Sequence, residues 1–537
     1  MTQTQQILRS TRIVTFVTLL SRFFGYVRDL FVALLLGTSP AADAFVIAFR
    51  LPNLLRRLMA EGAMTGAFIP IFTSYRTARS EAESWDFARR MFWMLAVVLG
   101  GVTLLGIVFA PALVRLFTLF SPDPEQWSLA VFLTRIIFPY CLLISLTALA
   151  GAILNTFRVF GLPASVPIFL NLAMIAAAVV AWLGGYGEPA VALALGVVVG
   201  GVLQFLVQAP ALLRRGMRFG FALGFRHKGV RRVGRLMLPA VLGVGIYQVN
   251  VLVSMVFASQ GEGWISALYY ADRLMEVALG VYAISVATVV LPVMAQQALE
   301  KKLAEMRATL TFALRNVAFI VVPAAVGLIV LREPLVRALF QHKTFGASST
   351  ELTAWALPFY ALGLPAIAAV RLLVQGFYAT QDTVTPVRVA GVALIANVVL
   401  CYVLVGPLRH GGLALATSLA SYLNLGVLYG VFRHRLGAVD EARLAWSLGR
   451  TFLAAGGMGA VCWWLNVRLG LGTATGLAGL LVGLGAMIAV GLGSYLLLAW
   501  ALRAGELSEF YTLVTGRRMN HGAIGVQAAV PFPPNNR

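Results

Sequence analysis

Eight arginines (Arg22, Arg28, Arg50, Arg56, Arg57, Arg135, Arg273, Arg371) and five acids (Asp29, Asp43, Glu61, Asp272, Glu276) interrupt long apolar runs of the chain. At ~2.5–3.5 kcal/mol for each arginine held against lipid at a helix centre, eight would cost roughly 20–28 kcal/mol, beyond the ~5–15 kcal/mol of ordinary folding stability. Most must therefore face a wet cavity, pair with acids, or reach a membrane interface. The planar guanidinium fork matches phosphate oxygens, and the cations outnumber the acids. A cavity built from these groups favours an anionic guest such as a diphosphate.

Spacing groups them further. Asp43, Arg50, Arg57 and Glu61 follow one another by seven, seven and four residues, which places them on one helical face. Pro52 should kink that helix beside Arg50. Arg22 and Asp29 share a face while Arg28 is rotated away, and Asp272 and Glu276 flank Arg273 at helix-turn spacing. Arg22, Arg50 and Arg273 combine depth with apolar flanks and point to function. Arg28 beside Asp29 also reads as a local packing pair, and Arg56 and Arg57 as snorkelling side chains. Arg135 and Arg371 are isolated and read as structural or interfacial.

The elements that position these groups are membrane spans. Of 537 residues, 60% are hydrophobic and 12% charged, which points to a lipid-embedded chain with little soluble mass. Breaks at polar, Gly and Pro clusters leave fourteen segments of spanning length, at about 12–36, 42–73, 89–118, 128–154, 163–184, 189–213, 234–258, 265–296, 309–339, 352–379, 385–405, 411–433, 447–468 and 475–503. The connecting loops are too short to hold an enzymatic domain. The first segment has no small-residue cleavage site and reads as a retained span. Three cysteines, Cys141, Cys401 and Cys462, cannot build a disulfide framework, and five scattered histidines include no H-E-x-x-H pair. A phosphate loop ending in G-K-[ST] and a G-x-S-x-G elbow are both missing from the sequence.

Net charge is +21, from 42 Lys+Arg against 21 Asp+Glu. With the N-terminus inside, the inner loops collect Arg76, Arg79, Arg89, Arg90, the basic cluster within 214–235, Lys301, Lys302, Arg307, Arg315, Arg433, Arg435, Arg443 and Arg450. The outer loops keep only Arg115, Arg332, Arg337, Lys343, Arg409 and Arg468. This is the positive-inside pattern, with both termini cytoplasmic. It accounts for the 214–235 cluster through topology and anionic lipid, with no nucleic acid.

The chain also repeats itself at a shift of roughly 220 residues. Leu193-Ala194-Leu195-Gly196 returns as Leu413-Ala414-Leu415-Ala416, Ala48-Phe49-Arg50-Leu51 as Ala271-Asp272-Arg273-Leu274, and Ile69-Pro70 as Leu291-Pro292. Six spans per half give a parallel repeat with a site between the halves. The expected organisation is an N-lobe at 1–215, a C-lobe at 216–440, an extra helix pair at 441–504, and a disordered cytoplasmic tail at 505–537.

Several strings resemble the MurJ/MviN family: Ser21-Arg22-Phe23-Phe24-Gly25-Tyr26-Val27-Arg28-Asp29, and the run from Leu51-Pro52-Asn53-Leu54-Leu55-Arg56-Arg57 through Ala60-Glu61-Gly62 to Phe68-Ile69-Pro70. So do Gly151-Ala152-Ile153-Leu154-Asn155-Thr156, Tyr269-Tyr270-Ala271-Asp272-Arg273-Leu274-Met275-Glu276, and Gly376-Phe377-Tyr378 through Gln381-Asp382 to Pro386. That family comprises the bacterial lipid II flippases of peptidoglycan synthesis, within the multidrug/oligosaccharidyl-lipid/polysaccharide exporter superfamily. The resemblance implies an all-α polytopic protein of about fourteen helices. Two six-helix lobes would surround a cationic cavity, and the last two helices would form a groove for a polyprenyl tail.

By the same resemblance, Arg22, Arg28, Arg56 and Arg273 are cavity arginines, with Arg50 keeping the basic character of its site. Asp43, Glu61, Asp272 and Glu276 match polar positions of the same motifs, and these acids with Asp29 could support the arginines or couple cations. The implied activity is alternating-access flipping of lipid II in the bacterial inner membrane, with no catalytic residue, metal or cofactor. Coupling to membrane potential, H⁺ or Na⁺ stays open. Expected partners are lipid II and membrane lipids, with contacts to peptidoglycan-synthesis proteins admissible and a monomer sufficient. The rivals are a flippase for another polyprenyl-linked glycan, a cation-coupled drug exporter, a membrane enzyme acting on polyprenyl phosphates, and a scaffold.

Overall fold

In the computed structural model, which describes residues 3–60, 63–121, 123–184, 187–280, 283–469 and 476–509, every regular element among the described residues is a helix. The first lobe comprises α1 (Gln3–Leu36), α2 (Pro40–Ala60), α3 (Ala63–Ala78), α4 (Glu81–Val108), α5 (Ala110–Phe117), α6 (Pro124–Ile137), α7 (Tyr140–Thr156), α8 (Gly161–Trp182) and α9 (Pro189–Leu213). The second comprises α10 (Lys228–Ala258), α11 (Trp264–Gly280), α12 (Ala283–Leu299), α13 (Leu303–Val330), α14 (Arg332–Phe340), α15 (Ala347–Ala379) and α16 (Val384–Leu436). The pair α17 (Glu441–Leu469) and α18 (Leu477–Ala501) follows, α17 packing on α13 and α18 on α14. Each of the fourteen apolar segments coincides with one helix, two consecutive helices, or one half of α16. Among the described residues, eight helical stretches are by themselves long and apolar enough to cross a membrane.

Local chemistry sets the ends of these helices. Ser80 begins α4 by accepting the Glu83 N–H, with Glu83 at the capping-box position. Asp123 caps α6 through the Glu125 N–H, and Pro124 fills the first turn, where a missing donor costs nothing. Asp382 caps α16: the Thr385 hydroxyl and N–H, the Val384 N–H and Arg435 hold its carboxyl below the usual carboxylate range. Within α16 the backbone breaks at Arg409 (φ 54°, ψ −142°), dividing it into two helical halves. At that break Gly412 is obligatory, since a Cβ there would lie 2.1 Å from the Leu404 carbonyl oxygen. α2 runs on through Pro52 to Ala60, so the expected kink does not end the helix.

The repeat is visible in these interruptions. α4 passes into the short α5 at Phe109 (φ −88°, ψ 9°), and α13 passes into the short α14 at Leu331 (φ −98°, ψ 15°). The two breaks are separated by close to the offset of the sequence repeat. Large apolar side chains such as Leu104, Val108, Ile395, Tyr402, Trp463 and Val482 point outward from the bundle, the expected dress of a lipid-facing surface.

Two expectations need correction. Arg315, read from sequence as a loop charge, is 6% exposed within α13. It pairs with Glu506, which also accepts the Ser447 hydroxyl at 2.6 Å, while Glu509 accepts from Asn316 at 2.8 Å. Residues 505–509, expected to begin a disordered tail, are helical and tied down, Glu506 supplying the counter-ion that the buried guanidinium requires. Residues 510–537, with the Pro-rich end, lie outside the described residues.

Candidate functional site

The lobes meet over two layers. At the end of the bundle away from the basic loops, Asp43 at the start of α2 is fully buried. Its carboxylate accepts the N–H groups of Gly263 (2.9 Å) and Ser266 (2.7 Å), the Ser266 hydroxyl (2.7 Å) and the Gln126 amide (3.3 Å). One lobe thus caps the N-terminus of a helix, α11, in the other. Beside it the Thr38 and Ser349 hydroxyls are 2.8 Å apart, and the Ser259 hydroxyl accepts the Phe120 N–H. Gly263 takes φ +74°, and a Cβ on it would stand 2.4 Å from the Thr38 carbonyl oxygen, so this seam closes only over glycine. Asp43, expected among the cavity acids, belongs to this seam.

Deeper in the bundle lies an ion bridge. Arg28 directs Nε (3.0 Å) and Nη2 (2.7 Å) at Asp29 Oδ1, and its Nη1 donates to Asn171 Oδ1 at 3.1 Å. Asn171 in turn donates to the Ser21 carbonyl, fixing α1 against α8. Tyr269 donates its hydroxyl to Asp29 Oδ1 at 2.9 Å. From the other lobe, Arg273 Nε stands 3.6 Å from Asp29 Oδ2, while its Nη1 bonds Glu276. Arg273 and Arg50 both lie over the Tyr269 ring, at 4.9 and 5.6 Å from its centroid, and Arg50 Nη2 is 3.9 Å from Asp272 Oδ2. Asp29 is 3% exposed, and Arg50 Nε and Arg273 Nε are buried without a hydrogen-bond partner. The bridge is tight but leaves donors unspent.

Arg28, Arg50, Arg273, Asp29, Asp272 and Glu276 are thus brought together as the sequence suggested. Helical phase alone had turned Arg28 away from Asp29, but four side-chain torsions carry its fork back to the neighbouring carboxylate. Arg22 lies on the exposed surface of α1, about two turns nearer the basic end. Arg56, Arg57 and Glu61 lie outside the residues whose side chains are described. Arg135 is exposed at the last turn of α6.

Arg371 departs from expectation. It lines a cavity of about 210 Å³ beside the bridge, walled by α2, α10, α11, α15 and α16. Arg50, Tyr269, Asp272 and Glu276 border the same space. The bridge cations Arg28, Arg50 and Arg273 are balanced by Asp29, Asp272 and Glu276, so Arg371 leaves a surplus of one positive charge, smaller than the eight-to-five tally implied. The sequence reading gave Asn171 and Tyr269 no site role and took Arg371 as structural or interfacial. The first two carry no formal charge, and Arg371 has no acid at helix-turn spacing to draw notice.

Comparison with known proteins decides the family. The family model described as lipid II flippase MurJ matches residues 32–480. The chain belongs to the MurJ family. A Vibrio cholerae serotype O1 MurJ relative described as "Probable lipid II flippase MurJ" is 36% identical over 508 residues, covering 92% of this chain and 96% of that protein. The Burkholderia cenocepacia "Lipid II flippase MurJ" is 38% identical over 435 residues, covering 80% and 84%. A solved MurJ structure in an inward closed conformation superposes with a TM-score of 0.77 at 26% identity, covering 93% of this chain and 99% of that one. An inward-facing multidrug transporter of the MATE family superposes at 0.65 with 15% identity, a likeness of fold alone. As a MurJ family member the chain is a multi-pass membrane transporter and not an enzyme.

Proposed function

We propose that this protein carries lipid II, the undecaprenyl-diphosphate-linked disaccharide-pentapeptide, from the cytoplasmic to the periplasmic leaflet of the bacterial inner membrane by alternating access. The observation that carries this reading is the ion bridge, in which Asp29 of one lobe stands between Arg28 of its own lobe and Arg273 of the other. A diphosphate competes with Asp29 and Glu276 for the same guanidinium forks. Binding exchanges a protein-only bridge between lobes for one made through the substrate, so loading and release bias the position of one lobe against the other.

The positive-inside pattern supports a cytoplasmic basic end, with both termini inside. The Asp43 seam then closes the periplasmic side, and the headgroup enters from the cytoplasmic leaflet. The polyprenyl tail stays in lipid along α17 and α18, whose outward faces carry Trp463, Val482 and Trp500. Arg22 and Arg56 guide the diphosphate along the cytoplasmic approach. The sequence offers no nucleotide-binding loop, so the drive comes from membrane potential, H⁺ or Na⁺, or product removal. One charge moved through 100 mV gains ~2.3 kcal/mol. The protein works as a monomer among membrane lipids.

Depletion of a host's native flippase, with this chain supplied, tests the reading. Wild type should restore periplasmic exposure of lipid II, and Arg28→Ala or Arg273→Ala should lower it about tenfold or more, the scale of one charge-assisted contact. A well-expressed wild type that restores nothing removes the lipid II assignment. Full activity of both variants removes the arginine bridge and leaves transport standing.

A further inference from the structure

The cavity beside the bridge has a lining that a diphosphate does not explain. α10 contributes Asn250 and Ser254, one turn apart, and the second half of α16 contributes Thr417, Ser421 and Asn424 along one face. The Ser254, Thr417 and Ser421 hydroxyls each donate back to the carbonyl four residues earlier. Their protons are spent within the helix, and what they turn to the cavity is oxygen lone pairs. Asn250 Oδ1 is buried with no partner, a further acceptor without a donor. This wall is built for a guest rich in N–H and O–H groups.

Arg371, on α15, is the exception in this cavity. Among the described residues it makes no ion pair, although Asp272 and Glu276 border the same cavity and are engaged by Arg50 and Arg273. A guanidinium in an apolar bundle without a counter-ion is costly unless a ligand supplies one. Phosphate already has a receiver in the Arg28–Asp29–Arg273 bridge, which meets this cavity at Tyr269. The remaining anion on a peptide-bearing headgroup is a carboxylate, which fits the fork in bidentate fashion.

We infer that this cavity is the subsite for the peptide and sugar of the headgroup, in which Arg371 takes a free peptide carboxylate while the acceptors of α10 and α16 take amide and hydroxyl donors. The inference rests on the lipid II reading and deepens it. It makes the protein selective for a headgroup with a free carboxylate, independently of the diphosphate.

Two purified lipids test it: lipid II, and lipid II whose peptide carboxylates have been converted to carboxamides. Binding to the detergent-purified protein is measured by titration for wild type, Arg371→Gln and Arg371→Lys, each checked for a single size-exclusion peak and unchanged Tm. Wild type should prefer the free carboxylate about tenfold. Arg371→Gln should bind the two lipids equally, at the level wild type shows for the amidated one, and Arg371→Lys should recover part of the preference. Equal binding of both lipids by wild type overturns the subsite. So does a parallel loss for both lipids in Arg371→Gln, which would assign Arg371 to the diphosphate or to packing. Should Arg371→Gln fail to fold, the wild-type preference and its reduction in Arg371→Lys decide the matter. Failure of wild type to bind either lipid overturns the lipid II reading itself.

Discussion

Asp43 accepts four hydrogen bonds, three of them from the first turn of α11 in the opposite lobe. Asparagine has the same shape but presents an amide NH₂ where two oxygens had met donors. At least one N–H of Gly263 or Ser266 then faces a donor, at a cost of about 1–3 kcal/mol. Asp43→Asn should lower Tm and raise the labelling of a cysteine placed at Thr38 by a membrane-impermeant maleimide. Unchanged Tm and labelling would deny Asp43 any part in closing the seam. From sequence, Asp43 was legible as a buried acid with a purpose, but not as a cap. Its partners Gly263 and Ser266 lie more than two hundred residues away, and nothing in their local pattern announces a missing capping group. Arg28 was legible as a partner of Asp29 by adjacency and not by helical phase, since phase arithmetic locates a Cβ, whereas an arginine acts some 6 Å beyond it. Arg371 shows the third limit, since an isolated charge gives no clue until the surrounding helices supply a cavity.

Helices were the most legible part, because apolar length alone specifies a span and the breaks carry Gly, Pro or capping residues. What composition could not show is how α17 and α18 are joined to the second lobe. Arg315 of α13 meets Glu506 just beyond α18, Ser447 of α17 donates to the same carboxylate, and the Tyr495 hydroxyl of α18 donates to the Phe319 carbonyl. Arg315 and Glu506 are 6% and 1% exposed, so removing Glu506 leaves the buried guanidinium only its 3.8 Å contact with Glu509, at a cost approaching the ~3–5 kcal/mol of a broken buried pair. Glu506→Leu should therefore lower Tm sharply. Arg315→Met combined with Glu506→Leu should recover most of the loss, since an apolar pair needs no counter-ion. A double variant no more stable than Glu506→Leu alone would show that the pair is not coupled, as a double-mutant cycle in Tm would report. The consequence for transport follows from position. On the proposed function, a helix pair fastened to α13 would move with the second lobe, and a lipid tail lying along it would stay in register with Arg273 and Arg371.

The two lobes repeat one plan, down to the short helices α5 and α14 that follow matching breaks, and a repeat of this kind moves as two bodies about a shared seam. Their hydrogen bonds to each other concentrate at the seam of Thr38, Asp43, Gly263 and Ser349, above the Asp29 bridge. Alternating access requires this seam to open once per cycle. The Thr38 and Ser349 side-chain oxygens are already 2.8 Å apart, so sulfurs at these positions need little movement to reach the ~2.05 Å of a disulfide. The three native cysteines are buried, which keeps the cross-link specific. Thr38→Cys with Ser349→Cys should flip lipid II normally under reducing conditions, stop on mild oxidation, and resume after reductant, while each single variant ignores the oxidant. Transport by the cross-linked protein at the uncross-linked rate would mean that the seam never opens. The headgroup would then have to leave laterally between helices of one lobe, and the inter-lobe placing of Asp29 and Arg273 would lose its mechanical meaning.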